Sequence, residues 1–308
     1  VGILLSIIII FILFKIISFK DIIFNFSKIN KIYLIIGFIF FIFTYILRAI
    51  RFKFVSGIKK LKDSFSIVCI HNFFSSILPA KLGELSYPIV LKKRFGTKYY
   101  QSFSDLILIR FFDVMTIGIV LFISLISIYT TKNTILILFF GLVIWIFLIF
   151  IIFLISKKII IKISKIKTKK KYIKKIIYIT KQILLRFAKR SNKDLIKIAF
   201  ISLMITISMF IVTYILLRGL NVNIYVWWLI LGGTLAIIAG LIPIQSFLNL
   251  GTFEAGLAFP LILGGLPKEE AIIISFSYHI INIIFISILY LLSILLDNLK
   301  KVSRWLGH

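Results

Sequence analysis

Long apolar stretches made mostly of Ile, Leu, Phe and Val recur along the whole chain. Each is long enough to cross a hydrocarbon core of ~30 Å at ~1.5 Å of helix per residue. We predict six full spans, at residues 2–19, 32–50, 104–129, 134–156, 195–217 and 271–296. The first resembles a signal peptide in hydrophobicity but lacks a small-residue cleavage site, so we expect it to be retained.

Two further apolar stretches, residues 64–90 and 225–265, are interrupted by proline, glycine and a glutamate. Proline removes a backbone donor and glycine tolerates unusual backbone angles, so both favour a helix break. The breaks contain, in chain order, Pro79, Gly83 and Glu84, then Pro243, Gly251 and Glu254. Paired interrupted segments inside a membrane protein indicate a transport site, because broken backbone at membrane depth needs protein or a water-filled cavity around it.

Lysine and arginine lie between the apolar spans. The chain has 38 Lys or Arg and 10 Asp or Glu, a net charge of +28. The lysines and arginines collect at residues 48–62, 92–98, 157–193 and 300–304. This distribution is typical of loops that set membrane orientation and attract anionic lipid, and we expect no nucleic-acid partner. The positive-inside rule therefore predicts a multi-pass plasma-membrane protein whose basic loops and C-terminus are cytoplasmic.

These orientations constrain the two interrupted stretches. Basic regions flank residues 64–90 on both sides, so this stretch should enter from the cytoplasm and return there. Counting spans onward, residues 225–265 should enter from outside and return outside, although two short crossings are an alternative for this longer stretch. Opposite entry directions indicate an inverted repeat. The predicted fold is all-α, with about six spanning helices and two re-entrant hairpins in one membrane domain, residues 1–308.

The segment 171–190 has an amphipathic pattern. Ile, Leu and Phe recur at helical spacing, with lysines on the opposite side. This predicts an interfacial helix on the inner leaflet, within the basic cytoplasmic loop 157–193. A lipid-sensing role is the alternative.

The two glutamates at the breaks are the first candidate site residues. A charge at the bilayer centre costs ~2.5–3.5 kcal/mol on insertion scales, so such residues are rarely incidental. Glu84 and Glu254 could each bind a cationic group or take up a proton. The alternative is that each caps the helix that follows its break.

Basic residues supply the other candidates. Arg110 and Asp113 are three residues apart and hence on one helix face. Arg110 could extend to the headgroups, bind a lipid phosphate with its planar fork, or pair with Glu84. Lys81 is a second candidate for phosphate.

Arg48 and Arg51, one turn apart, are interpreted chiefly as orientation charges that could also bind lipid. His71 and Asn72 on an apolar helix are interpreted as a buried polar pair.

Metal and covalent chemistry lack support in the sequence. The single cysteine, Cys69, allows no intrachain disulfide. His71, His279 and His308 have no metal-type spacing. No base lies at a recognisable spacing from a nucleophile. We therefore expect no metal, no cofactor and no catalytic residue.

Taken together, the motifs resemble one family. They are Arg48-x-x-Arg51, Asn72 with Leu78-Pro79-x-x-x-Gly83-Glu84, Arg110-x-x-Asp113, and Pro243 through Gly251-x-x-Glu254. This order is similar to that of the lysylphosphatidylglycerol synthase transmembrane, or flippase-like, family across nearly the whole chain. The resemblance implies movement of charged lipids between leaflets, and relatives without an aminoacyl-transferase domain are linked to polyprenyl lipids and glycosylation. This chain departs from the family pattern in two respects. Residues 245–250 lack a Gly-rich run, and only a dozen residues follow residue 296, so we expect no transferase domain there.

Our leading hypothesis is a lipid translocator for anionic or polyprenyl-phosphate lipids. Arg110 and Lys81 would hold phosphate, while Glu84 and Glu254 would gate the path or exchange protons. A membrane-embedded transferase acting on a lipid carrier and a non-catalytic membrane scaffold are the alternatives. A homodimer is compatible with the sequence.

Overall fold

The computed structural model describes residues 19–164, 178–180, 182, 185, 190–241 and 246–306, and the fold there is all-α. The helices are α1 Phe19–Ser27, α2 Lys31–Ser56, α3 Leu61–Ile77, α4 Ser86–Phe95, α5 Tyr99–Ile128, α6 Lys132–Ser164, α7 Asn192–Gly219, α8 Val226–Ala239, α9 Thr252–Leu263 and α10 Lys268–Leu306. Local chemistry sets the bounds of α2. Asn30 Oδ1 accepts a hydrogen bond from Ile32 N–H at its start, and Gly57 ends it in the left-handed region.

Four helices are long and apolar enough to cross a membrane: α2, α5, α7 and residues Lys268–Asp297 of α10. They contain 26 to 30 residues with a mean hydropathy of 2.2 to 2.4. These four confirm four of the six predicted spans. The predicted span 134–156 lies within α6. The predicted span 2–19 lies almost wholly outside the described residues, as does most of the predicted interfacial helix 171–190.

Apolar side chains cover much of the outer surface of the bundle. Ile32, Ile137 and Ile196 have 66%, 71% and 68% of their surface exposed. Small hydroxyl residues instead join the helices inside: Thr44 of α2 meets Ser208 of α7 at 2.7 Å, and Thr116 of α5 meets Thr206 of α7 at 2.8 Å. An apolar exterior with small polar residues at helix contacts is the packing expected in lipid. The protein is therefore a polytopic membrane protein.

Each interrupted stretch forms a helical hairpin. The first hairpin is α3, a 3₁₀ turn at Leu82–Leu85, and α4; the second is α8, a 3₁₀ turn at Phe247–Asn249, and α9. At ~1.5 Å per residue, α8 and α9 are about 21 and 18 Å long, shorter than a ~30 Å hydrocarbon core. The first hairpin packs against α2, α5 and α10, and the second packs against α5, α7 and α10.

Candidate functional site

The tip of the first hairpin is backbone held in an unusual conformation. Helix α3 ends at Ile77, and Pro79 precedes two residues with positive φ, Ala80 at 51° and Lys81 at 60°. Gly83 follows in close contact with α3, since a Cβ there would lie 2.2 Å from the carbonyl oxygen of Phe74. Left-handed non-glycine residues cost about 1–3 kcal/mol each and concentrate at functional sites. The predicted breaks at Pro79 and Gly83 are present.

The tip of the second hairpin also has backbone in an unusual conformation. Leu248 and Asn249 have φ of 57° and 55°, and Gly251 has φ of 85°. Glu254 then caps α9, because its Oε2 accepts a hydrogen bond from Gly251 N–H at 2.6 Å. The predicted break at Gly251 is present, whereas Pro243 lies outside the described residues.

The two tips are in contact. The Nζ of Lys81, on the first tip, donates a hydrogen bond to the carbonyl oxygen of Gly240, which ends α8 of the second hairpin. The 3₁₀ turn of the second tip also packs against α3. The sequence motifs therefore meet in one region of the fold.

An ion-pair network joins the first hairpin to α5 and α2. Arg110 of α5 binds Glu84 of the tip, and its Nη1 lies 3.5 Å from Asp113 Oδ2. Asp113 Oδ1 in turn accepts a hydrogen bond from Arg51 Nη1 at 2.5 Å. Arg51 is 4% exposed and also donates to Ser202 of α7 at 2.8 Å. The predicted Arg110–Glu84 contact is present, and Arg51 lies in the interior rather than on an exposed orientation surface.

His71 of α3 completes this network. Its Nε2 lies 3.5 Å from Glu84 Oε2, and its Nδ1 lies 3.3 Å from Ser86 Oγ. The neighbouring Asn72 accepts a hydrogen bond from Arg48 Nη1 at 2.9 Å and donates to the Val68 carbonyl at 2.8 Å. Both members of the predicted polar pair thus have polar partners.

Glu254 has a different partner. His279 Nδ1 of α10 lies 2.6 Å from Glu254 Oε1, and the two side chains are 6% and 3% exposed. Phe253 stacks on the His279 ring at a centroid distance of 4.3 Å. Glu254 thus has two hydrogen-bond partners, one backbone N–H and one histidine. A histidine bound through Nδ1 has Nε2 left to bind another group.

A cavity of about 200 Å³ lies between the hairpins, α2, α7 and α10. This is far larger than the ~10–15 Å³ that one water molecule requires. Its polar walls come from five elements and include Thr44 and Arg48 of α2, Asn72 and Ser76 of α3, Thr213 of α7, Asn249 of the second tip, and Tyr278, His279 and Asn282 of α10. Two buried polar atoms there, Arg48 Nε and Asn249 Oδ1, have no hydrogen-bond partner among the described residues. We call this the central cavity.

A second cavity, of about 40 Å³, lies beside the ion-pair network. Its walls include Arg51, Arg110 and Asp113, and it shares Arg48 and Asn72 with the central cavity. Arg48 and Asn72 therefore lie between the central cavity and a smaller, charged one. Among the described residues, no group of three or more His, Cys, Asp and Glu is placed to hold a metal ion.

Sequence reasoning missed most of the polar residues of the central cavity, including two asparagines and a histidine. Asn249, His279 and Asn282 line it together with the predicted Arg48 and Asn72. His279 and Asn282 are one turn apart in the apolar helix α10, which is the same intramembrane-polar signal that identified Arg110 and Asp113. That signal would have identified both residues.

Comparison with known proteins gives one family. The family model described as "Lysylphosphatidylglycerol synthase TM region" matches residues 1–289, essentially the whole chain. No curated protein and no solved structure matches the chain.

Proposed function

We propose that this chain, which belongs to the lysylphosphatidylglycerol synthase transmembrane-region family, moves a phosphate-bearing phospholipid or polyprenyl-linked lipid between leaflets. The observation that carries the proposal is the central cavity, a space of about 200 Å³ with polar side chains in its walls, between two broken hairpins in a bundle with an apolar exterior. Polar groups and broken backbone inside such a bundle are costly and indicate a substrate path.

In this proposal the two hairpins are re-entrant and enter from opposite leaflets, with the basic loops in the cytoplasm. The short arms of the second hairpin support this arrangement, since α8 and α9 each contain fewer residues than a crossing helix requires. The contact between Lys81 and Gly240 supports it further, because hairpins that enter from opposite faces would meet at their tips. The headgroup would occupy the central cavity while the lipid chains stay outside the bundle.

The glutamates have separate roles in this path. Glu84 is bound to Arg110, so its part is to fix the first tip against α5. Glu254 faces His279, whose charge depends on its protonation, so this pair can change its charge without separating a permanent ion pair. We assign gating or proton exchange to the Glu254–His279 pair.

The test is a leaflet-accessibility assay with the purified protein in vesicles that contain a fluorescent phosphatidylglycerol. An aqueous quencher added outside should reach inner-leaflet label at a higher rate in wild-type vesicles than in empty ones. Changing Glu254→Gln should slow this movement about tenfold or more, since a charge-assisted hydrogen bond contributes ~1.5–3 kcal/mol. Glu269→Gln, an exposed residue at the start of α10, is the matched control and should leave the rate unchanged.

Two outcomes would contradict the proposal. If wild-type vesicles match empty vesicles, there is no translocation. If instead the vesicles form a modified lipid from a soluble donor, the membrane-embedded transferase is the correct function. Unchanged movement in the Glu84→Gln, Glu254→Gln double variant would remove both carboxylates from the mechanism.

A further inference from the structure

We infer that Arg48 is the phosphate ligand of the central cavity, and that the cavity takes a headgroup whose only charge is that phosphate. This rests on the proposed function, because it names the headgroup class that the proposed path would carry. It goes beyond the sequence expectation, which assigned phosphate to Arg110 and Lys81 and interpreted Arg48 chiefly as an orientation charge that could also bind lipid.

The three arginines of the site differ in their partners. Arg51 is bound to Asp113, and Arg110 is bound to both Glu84 and Asp113. Arg48 instead donates to neutral atoms, Asn72 Oδ1 at 2.9 Å and Met209 Sδ at 3.0 Å. Within the described part of the chain, Arg48 is therefore the arginine of the site without a carboxylate partner.

Arg48 also has unused binding capacity at the cavity wall. Its Nε is buried and has no hydrogen-bond partner among the residues described. Thioether sulfur is a weak acceptor, so the bond to Met209 satisfies the guanidinium poorly. A cation inside an apolar bundle is costly unless an anion compensates it. A phosphate oxygen pair would satisfy the planar fork of Arg48 in the geometry that arginine prefers.

Among the described residues, no carboxylate lines the central cavity, and the carboxylate bound to its wall residue His279 is already engaged. Glu254 accepts hydrogen bonds from Gly251 N–H at 2.6 Å and pairs with His279 Nδ1 at 2.6 Å. It therefore offers little to an ammonium group on a headgroup. Apart from Arg48 and His279, the polar lining consists of neutral side chains, among them the unpartnered Oδ1 of Asn249, which can accept from a hydroxyl. These walls suit phosphate with hydroxyl groups and disfavour a headgroup that carries an amine.

Binding measurements with defined probes test the inference. A fluorescent short-chain phosphatidylglycerol is the probe, since its headgroup has one phosphate and otherwise hydroxyls. The competitors are unlabelled dihexanoyl phosphatidylglycerol, its lysyl ester, dihexanoylglycerol without phosphate, and free glycerol phosphate. We expect the unlabelled anionic lipid to displace the probe, and the other three to displace it at least about tenfold more weakly, the loss expected without a charge-assisted bond or the acyl chains.

Binding measurements on variants of Arg48 form the second part of the experiment. Arg48→Gln should weaken probe binding about tenfold to a hundredfold. Arg48→Lys should give an intermediate affinity, because it keeps the charge but loses the fork. Arg218→Gln is the matched control at the far end of α7, where Arg218 binds Asn223 at 2.8 Å. Gel filtration and melting curves identify any variant that fails to fold. If Arg48→Gln does not fold, probe binding is compared between the wild type, Arg48→Lys and Asn249→Ala instead.

The outcomes separate this inference from the proposed function. Probe binding by folded Arg48→Gln at wild-type affinity would overturn the inference, as would equal binding of the lysyl ester. Equal displacement by free glycerol phosphate would overturn the lipid assignment and point to a soluble phosphate. Binding that requires Arg48 in a protein without leaflet exchange would sustain the anion site and overturn translocation instead. Leaflet exchange at the wild-type rate in Arg48→Gln would sustain translocation and overturn the anion site.

Discussion

The two hairpins have similar backbones but very different numbers of charged side chains. Residues 61–95 carry seven charged side chains, whereas residues 226–263 carry Glu254 alone. The first hairpin is joined to its neighbours by ion pairs at both ends: Glu84 with Arg110 at the tip, and Arg94 with Asp297 of α10 at 2.6 Å. The second hairpin instead has one carboxylate–histidine pair and close backbone packing between its arms.

This difference assigns different mechanical roles to the hairpins. Ion pairs between permanently charged groups resist separation inside a low-dielectric bundle, so the first hairpin should be the fixed wall of the central cavity. The second hairpin can move without separating permanent charges. We therefore expect it to be the member whose contacts change during lipid movement, and the variants below test what holds each hairpin.

The largest effect should come from the ion-pair network beside the first hairpin. Asp113→Asn leaves Arg51, which is 4% exposed, without its anionic partner. Removing one partner of a buried pair costs about 3–5 kcal/mol. The free energy of unfolding in mixed micelles should therefore fall by that amount.

Two variants control for this measurement. Glu269→Gln is exposed and should change the free energy of unfolding by less than about 0.5 kcal/mol. The double variant Arg51→Met, Asp113→Leu removes both charges and should recover much of the lost stability, because replacing a buried pair by apolar residues is often neutral. A stable Asp113→Asn single variant would mean that the first hairpin does not depend on the network.

An intermediate effect should come from the packing of the second hairpin. A Cβ on Gly256 of α9 would lie 2.8 Å from the Cα of Ala236 and from the Leu235 carbonyl oxygen, both backbone atoms of α8. Backbone cannot move aside as a side chain can, so Gly256→Ala should destabilise the fold by about 1–3 kcal/mol.

Gly37→Ala in α2 is the matched control for Gly256→Ala. Its Cβ would lie 2.6 Å from Leu216 Cδ2, the end of a flexible side chain, so a rotamer change can relieve the contact. The gain in helix propensity, about 1 kcal/mol, should then offset most of the cost. If the two alanine variants melt at the same temperature, close backbone packing does not hold the second hairpin together.

The sequence predicted the parts of the molecule that depend on local pattern. Unbroken apolar runs identified α2, α5, α7 and α10, because span length is a property of consecutive residues. Proline and glycine identified the tips for the same reason. The Arg110–Glu84 contact was among the predicted alternatives because both residues were assigned to the same membrane face.

The rest of the site depends on how distant helices pack. Glu254 and His279 are 25 positions apart, and their contact requires α9 to lie against α10, which no local pattern encodes. Arg51 illustrates the same limit. Counting charges near a span end cannot distinguish an arginine that faces a loop from one that faces the core, and Arg51 faces the core.

The smallest effect should come from the contact that crosses between the hairpins. Lys81 of the first tip donates to the carbonyl oxygen of Gly240, at the end of α8, where a cation is favoured by the helix dipole. Lys81→Gln should lower the free energy of unfolding by only about 0.5–1.5 kcal/mol, since it removes one hydrogen bond. Lys93→Gln on the exposed side of α4 is its control and should have no measurable effect.

The Lys81 variant also separates stability from movement. If the first hairpin is fixed by Arg110 and the second is the mobile member, loss of the Lys81 contact frees the second tip without loosening the first. Spin labels on α8 and α3 should then show a broader distance distribution in Lys81→Gln, while labels on α3 and α5 keep the wild-type distribution. Broadening of the α3–α5 distance instead would make the charged hairpin the mobile one and reverse the assignment of the two roles.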